Sequence, residues 1–172
     1  NERFFLNGDV NFVGQQSALA LEAGFDKFDL APFGPLLGSV LSDVRGNATG
    51  RATIAGSLSE PEIDGRLYLN DAGMRVPYLN VDYAFEKNAI IDVTEHQFSF
   101  RKVEVSDTKY DTKGVLDGSI RHKKFGDWQL DLHLDSNNIL ALDTEDNEDA
   151  YYFGTAFMKG KASITGSVDA LN

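Results

Sequence analysis

QLDLHLD, residues 129–135, alternates leucine with polar residues along its whole length. Leu130, Leu132 and Leu134 share one parity, and the residues between them are aspartate and histidine. Successive side chains of a β-strand point to opposite faces of the sheet. The alternation therefore predicts a strand that is apolar on one side and polar on the other.

The same alternation recurs along the chain, for example over residues 63–69 and 79–86. It predicts about ten strands of about 6 to 11 residues each, separated by turn signals such as Glu60-Pro61, Asn70 to Gly73 and Lys87-Asn88. The predicted fold class is mainly β, as an elongated, strongly curled, antiparallel-rich sheet with an open groove. One β domain is expected over residues 1–172, with the main curled sheet at 45–172.

One stretch, APFGPLLGSVLSDV at residues 31–44, breaks the alternation. Phe33, Leu36, Leu37, Val40 and Leu41 fall at helical spacing, which predicts one short amphipathic helix at 31–44. Such a helix could cap an open end of the sheet and cover its unpaired backbone groups.

An internal repeat links GRATIAGSL at residues 50–58 with GKASITGSV at 160–168. Its glycines share parity with the aliphatic residues, so the apolar face mixes large side chains with very small ones. Interior glycine often marks a bend or a close approach of another backbone. This indicates either a sheet that curls around its own apolar side or a packed sandwich that needs clearance.

Composition excludes several classes of function. The formal net charge of −11 argues against nucleic-acid binding, which needs clustered lysine and arginine. The absence of cysteine excludes disulfides and thiolate metal sites. No apolar run approaches the roughly 20 residues that a membrane helix needs.

Candidate chemical groups are few. His96, His122 and His133 lie on different predicted elements without an acid at ligand spacing, and are predicted to be ordinary surface or edge residues. The acidic run at residues 143–149 could bind calcium, but a solvated turn is the favoured interpretation. Because no catalytic motif is present, we predict neither an enzyme nor a cofactor or metal site.

Two stretches, PEIDGRLYLNDAGMRVPYLNVDYAF at residues 61–85 and the segment from Gly118 to Val168, contain short glycine, proline and aromatic motifs in a set order. In this order they resemble the C-terminal region of the TamB family, within the AsmA-like superfamily. The resemblance, closest to versions from Bacteroidota, rests on the order and spacing of several short motifs. Its elements are Pro61 with Gly65, Pro77-Tyr78-Leu79, Gly118 with His122 and Phe125, Asn138, Tyr152-Phe153-Gly154, and Gly160 with Gly166.

The resemblance implies a fragment of a much longer periplasmic protein of a Gram-negative bacterium. Such proteins are anchored in the inner membrane through other parts of their chain and reach towards the outer membrane. They are linked to phospholipid transport and to assembly of outer-membrane proteins, with an Omp85-class barrel (TamA- or BamA-like) as partner. Phospholipid acyl chains would be the expected ligands.

We accordingly predict that the apolar face forms a lipid groove. Its predicted lining is Ile54, Leu58, Ile63, Leu67, Leu69, Leu79, Val81, Tyr83, Phe85, Ile91, Val93, Phe98, Phe100, Leu116, Ile120, Leu130, Leu132, Leu134, Leu140, Leu142, Tyr152, Met158 and Ile164. Two alternatives stay open. One is a scaffold that pairs its sheet edge with a barrel or client strand. The other is a secreted adhesin or carbohydrate-binding sandwich.

Overall fold

The computed structural model describes residues 3–13, 16–37, 41–123, 126–145 and 153–167. Over these residues ten strands form a single antiparallel sheet, accompanied by two short 3-10 helices. The mainly β, curled sheet predicted from the alternation is confirmed. The ten described strands do not divide into the two sheets that a sandwich requires.

The strands differ widely in length. They are β1 (Arg3–Val13), β2 (Gln16–Asp29), β3 (Ser42–Gly56), β4 (Pro61–Val76), β5 (Val81–Phe85), β6 (Ala89–Thr94), β7 (Gln97–Asp107), β8 (Lys113–Lys123), β9 (Gly126–Thr144) and β10 (Gly154–Ser167). Neighbours follow the order β1-β2-β3-β4-β5-β7-β8-β9-β10. β9 reaches 19 residues, beyond the predicted upper length, because long strands continue through bulges where the alternation slips.

β5 and β6 together occupy one strand position in the sheet, between β4 and β7. Both pair antiparallel with β4, β5 through residues 73–76 and β6 through residues 64–69. Both also pair with β7. The two strands therefore run in the same direction end to end, and Lys87-Asn88 interrupts one line of chain without reversing it.

A line of bulges crosses the sheet at the level of the junction between β5 and β6. Lys27, Gly46, Asp71, Asn88 and Lys102, on adjacent strands or strand ends, all have positive φ. Register shifts occur beside Lys27, Gly46 and Lys102. Because bulges bend strands and increase their twist, this line is where the sheet can fold over. The turn predicted at Asn70 to Gly73 is wrong: Asp71 bulges within an unbroken β4.

The predicted short helix has a different form. Ala31–Leu37 is a 3-10 helix, and Ser42 already begins β3, so the final residues of the predicted helix are strand. Pro35 lacks an N–H group and lies inside the 3-10 helix, which disfavours a regular α-helix here. The second 3-10 helix, Pro77–Leu79, precedes Asn80 in the left-handed conformation.

The apolar face is packed at one end of the sheet. Val81, Val103, Ile139 and Leu140 are almost fully buried there. Tyr83 Oη donates a hydrogen bond of 2.7 Å to the Leu140 carbonyl, which joins β5 to β9 across the fold. Lys109 Nζ, in the turn between β7 and β8, lies 2.6 Å from Asp143 Oδ2 of β9 and makes a further contact at this end. The sheet therefore folds over this end, where its own strands cover the apolar face.

Candidate functional site

An apolar cavity of about 430 Å³ lies on the inner face of the same sheet, and we call it the trough. Its walls come from all the strands between β2 and β9, together with the first 3-10 helix. Apart from Arg45 and Arg66, every lining residue is apolar or glycine. The trough is the part of the apolar face that the packed end leaves unfilled.

Small residues create this space. Ala52 on β3 lies opposite Gly65 on β4, and both line the trough. A Cβ atom added to Gly65 would lie 2.5 Å from the Cβ of Ala52, so the two strands leave no room for a side chain there. Ala23, the neighbour of Ala52 on β2, continues the row of small residues. Larger side chains at these positions would occupy the trough.

Aromatic rings line the β2 side of the trough. Phe25 and Phe28 have ring centroids 5.5 Å apart, and Phe28 lies 6.0 Å from Phe33 of the first 3-10 helix. The predicted groove lining contains none of these three residues, although Phe33 belongs to the predicted helix. Alternation through Leu19, Leu21, Ala23 and Phe25 was the available signal, but the bulge at Lys27 moves Phe28 out of that parity.

A second aromatic group closes the opposite side. The ring of His122 lies 5.4 Å from that of Phe98 and 5.1 Å from that of Trp128, and Phe98 and Trp128 both line the trough. His122 is buried, so its prediction as a surface or edge residue is wrong. β8 turns this side chain towards the apolar face. Burial, followed by the charge of neighbouring His96, lowers the pKa of His122 below its usual value.

The two arginines that border the trough are paired with carboxylates. Arg45 makes a bidentate contact with Asp82, at 2.7 and 2.9 Å. Arg66 Nε donates to Asp92 at 2.7 Å, and Arg101 lies 2.8 Å from the other oxygen of Asp92. Each of the two lining arginines thus has a carboxylate partner, and neither presents an unpaired cation to the apolar surface.

The predicted groove residues divide between the trough and the packed end. Those that line the trough are Ile54, Ile63, Leu67, Leu69, Phe85, Ile91, Val93, Phe98, Phe100 and Ile120. Those that are buried elsewhere are Val81, Tyr83, Leu116, Leu130 and Leu140. Those that are partly buried elsewhere are Leu79, Leu132, Leu134, Leu142 and Met158.

The remaining predicted residues lie away from the trough. Leu58 and Ile164 are 59% and 48% exposed. Leu58 lies in the turn between β3 and β4, and Ile164 lies on the edge strand β10, so neither has strands on both sides to cover it. Tyr152 lies outside the described residues, as does most of the acidic run at 143–149.

A buried carboxylate stabilises the packed end. Asp107 accepts backbone hydrogen bonds from Lys109, Tyr110 and Thr112, and one from the Thr112 hydroxyl. Burial raises the pKa of Asp107, but these four hydrogen bonds outweigh burial and hold it below its usual value. Thr112 Oγ1 accepts from the Leu140 N–H at 2.8 Å, which ties this turn to β9.

Ser163, His133 and Asp131 form the arrangement most similar to a catalytic group among the described residues. His133 Nδ1 lies 2.9 Å from Ser163 Oγ, and its Nε2 lies 3.3 Å from Asp131 Oδ1. Ser163 and His133 are direct cross-strand partners, and Asp131 precedes His133 by two residues on the same face. Ordinary pairing of β9 with β10 accounts for this exposed polar row.

Two kinds of feature are absent from the described residues. They contain no group of three or more His, Cys, Asp or Glu residues that could hold a metal ion. Among these same residues, no helix is long and apolar enough to cross a membrane.

Comparison with protein families gives a match over the C-terminal strands of the sheet. Residues 101–172, which include most of β7 and all of β8, β9 and β10, match the family model of the TamB C-terminal domain. The resemblance to the TamB family is therefore confirmed. The family consists of cell-envelope proteins that are non-enzymatic components of transport and assembly and work with an Omp85-type partner. Comparison with curated proteins gives no match, and neither does comparison with solved structures.

Proposed function

We propose that the trough holds hydrocarbon chains of phospholipids, and that this sheet is a periplasmic section of a bridge between the inner and outer membranes. The observation that carries the proposal is a 430 Å³ cavity whose wall is apolar except at two paired arginines. Water gains few hydrogen bonds in such a cavity, so an apolar occupant is favoured. The confirmed resemblance to the TamB family supports the same conclusion.

The size of the trough fits an acyl chain. An apolar cavity of about 150 Å³ accommodates one benzene molecule, so a volume near 430 Å³ can take roughly three times as many carbon atoms. Each methylene removed from water contributes about 0.8 kcal/mol. Such contacts lack direction, and they let a chain slide along the wall as well as bind to it.

Trp128 offers a direct test because it lines the trough and is the single tryptophan of the chain. Phospholipids with brominated acyl chains should quench its fluorescence when the chains enter. The variant Ile91→Glu places a carboxylate in the trough wall and should abolish the quenching. Ile90→Glu is the matched control, because Ile90 is the adjacent residue of β6, is 37% exposed and does not line the trough.

Circular dichroism would establish that both variants stay folded. Equal quenching of the wild-type chain and the folded I91E variant would contradict lipid binding in the trough. Transfer of labelled phospholipid between vesicles, measured with the same variants, would then distinguish transport from binding alone.

A second candidate function is supported by the open outer edge of β10. Within the described sheet β10 pairs only with β9, which leaves one row of its backbone N–H and C=O groups available for another strand. A strand of an Omp85-class barrel or of a client protein would be its partner. Binding to a barrel that Ile164→Pro abolishes, with no lipid quenching of Trp128, would favour this scaffold role.

A further inference from the structure

Four exposed aromatic side chains lie at the packed end of the sheet. Tyr78, Tyr110, Phe153 and Phe157 are 70%, 48%, 60% and 43% exposed. Tyr78 belongs to the second 3-10 helix, and Tyr110 lies in the turn between β7 and β8. Phe153 immediately precedes β10, and Phe157 lies within it. These four residues are not part of the trough lining, and we call the surface that they form the aromatic platform.

Asp143 connects the three segments of the chain that carry these rings. Its carboxylate lies 2.6 Å from Lys109 Nζ of the turn between β7 and β8, and accepts a hydrogen bond of 3.0 Å from the Thr155 hydroxyl of β10. Its backbone carbonyl accepts a hydrogen bond of 2.5 Å from the side chain of Asn80, which follows the second 3-10 helix. These contacts fix the 3-10 helix, the turn and the start of β10 against one another.

The turn that carries Tyr110 is held by further hydrogen bonds. Asp107 accepts from three backbone N–H groups of the turn. Thr108 donates from its backbone N–H and from its hydroxyl to Asp82. The ring of Tyr110 meets that of Phe157 edge-on, with centroids 5.3 Å apart. A surface that is ordered before a partner arrives loses little conformational entropy when the partner docks.

The exposed aromatic area is in the range of interaction sites. At about 200 Å² per aromatic side chain, the four exposed fractions amount to on the order of 440 Å². The contacts through Asp143 join the four rings into one surface. Exposed apolar patches of more than a few hundred Å² on soluble proteins mark contacts with another molecule.

The aromatic platform is built from the ends of strands and from the segments that connect them. An additional strand beside β1 or β10 would widen the sheet sideways. It would leave the second 3-10 helix and the turn between β7 and β8 uncovered. The exposure of the platform therefore does not depend on how far the sheet continues.

The charge of the platform segments favours a basic partner. Residues 75–80, 109–111 and 143–159 together contain six carboxylates and three cations. The carboxylates are those of Asp111, Asp143, Glu145, Asp146, Glu148 and Asp149, and the cations are Arg75, Lys109 and Lys159. Asp111 and Glu145 are exposed. The formal net charge of the whole chain, −11, acts in the same direction.

The ring of Tyr110 shows which kind of group the platform accepts. Lys109 Nζ lies 5.3 Å from the centroid of this ring. A guanidinium group likewise stacks on aromatic faces, and it also pairs with carboxylates. An anionic bilayer surface, by contrast, would be repelled by the excess of carboxylates. We propose that the aromatic platform docks a basic protein surface in which arginine side chains surround an apolar centre. Docking there is independent of lipid binding in the trough.

Fluorescence anisotropy with three labelled synthetic peptides of equal length tests the proposal. One peptide alternates arginine with leucine, the second arginine with serine, and the third glutamate with leucine. The arginine–leucine peptide should bind the chain most tightly, because it alone supplies both the charge and the apolar surface. Tyr110→Ser should weaken this binding about ten-fold, whereas Tyr110→Phe keeps the ring and should retain it.

Tyr68→Ser is the matched control, because Tyr68 is 40% exposed against 48% for Tyr110 and lies within β4, away from the platform. It should keep the wild-type affinity, and far-ultraviolet circular dichroism verifies the fold of each variant. Equal affinity for the arginine–leucine and glutamate–leucine peptides would overturn the proposal, as would binding that Y110S leaves unchanged or the absence of binding to all three. Binding to phosphatidylcholine vesicles that Y110S abolishes would assign the platform to a bilayer instead.

Discussion

The hydroxyl of Tyr83 lies 2.7 Å from the carbonyl oxygen of Leu140 and donates a hydrogen bond to it. These residues belong to β5 and β9, which are not neighbours in the sheet. The bond therefore joins two distant parts of one sheet where it folds over the packed end. Burial, and secondarily the charge of Asp107, raises the pKa of Tyr83 to about 12.

Removing this hydroxyl should destabilise the fold. Tyr83→Phe leaves the buried Leu140 carbonyl without its donor, and should lower the free energy of unfolding by about 1–2 kcal/mol. Urea denaturation followed by circular dichroism measures the change. Tyr110→Phe is the control, because Tyr110 is 48% exposed, and its stability should stay near that of the wild-type chain. Equal losses in the two variants would argue against a specific role for the Tyr83 bond.

Alkaline pH should have a related effect. The unfolded chain ionises tyrosine near pH 10, whereas folded Tyr83 holds its proton to about 12. The unfolded state therefore binds fewer protons in this interval, and stability should fall as pH rises from 10 to 12. Y83F should lack this component of the pH dependence. Identical pH profiles for Y83F and the wild-type chain would contradict the assignment.

Asp107 should stabilise the chain above the usual aspartate pKa. Its folded pKa lies below the unfolded value of 3.8, so its contribution is present above pH 3.8 and is lost as pH falls through the folded pKa. Asp107→Asn replaces the charged carboxylate that accepts four hydrogen bonds. The free energy of unfolding should fall by about 2–3 kcal/mol at pH 7. Denaturant unfolding at pH 7 and pH 3 should show the cost shrinking at the lower pH.

Asp117→Asn is a suitable control for this measurement. Asp117 lies on β8 and is exposed. Its substitution should have a small effect at both pH values. A D107N variant as stable as the wild-type chain at pH 7 would show that the buried turn does not depend on the charge.

The one-sided strands could be predicted from the sequence because alternation is local. Leu130, Leu132 and Leu134 share one face of β9, as their spacing indicates. What alternation could not predict is the division of that face into the packed end and the trough. Tyr83 and Phe85 have the same parity, but Tyr83 packs under β9 and Phe85 borders the trough. That division depends on bulges such as Asp71 and Lys102.

The burial of His122 could not be predicted from the sequence, for a similar reason. Its immediate neighbours, Arg121 and Lys123, are charged and exposed, so the local sequence resembles a surface segment. Its parity, however, is that of Leu116 and Ile120, which pack in or against the core. The aromatic neighbours that bury it come from β7 and β9, and only the strand pairing reveals them.

Acid should weaken the His122 side of the trough. The pKa of His122 is lowered by burial, so its contribution to stability is present above the unfolded value of 6.5 and is lost as pH falls through the folded pKa. The free energy of unfolding should therefore fall between pH 7 and pH 5. His122→Phe should flatten this pH dependence, and fluorescence of nearby Trp128 reports on the same region. His133→Gln, at an exposed position, should keep the wild-type slope.

Gly118 and Gly160 allow steric cost to be separated from backbone strain. Their φ values are nearly equal, +124° and +119°. Residues that carry a side chain rarely adopt either value. A Cβ on Gly118 would lie 2.1 Å from the Asp131 carbonyl oxygen of β9, whereas a Cβ on Gly160 would meet nothing within 4 Å. Gly160→Ala should therefore cost only the strain, about 1–2 kcal/mol.

Gly118→Ala should cost about 3 kcal/mol or more, because β8 and β9 must also separate to admit the methyl group. The two variants can be compared by urea denaturation, and hydrogen exchange would locate the disturbance. Amides of β8 and β9 should lose protection in G118A and keep it in G160A. Equal destabilisation would mean that strain alone sets the cost, and that β9 yields to the methyl group more readily than a 2.1 Å approach implies.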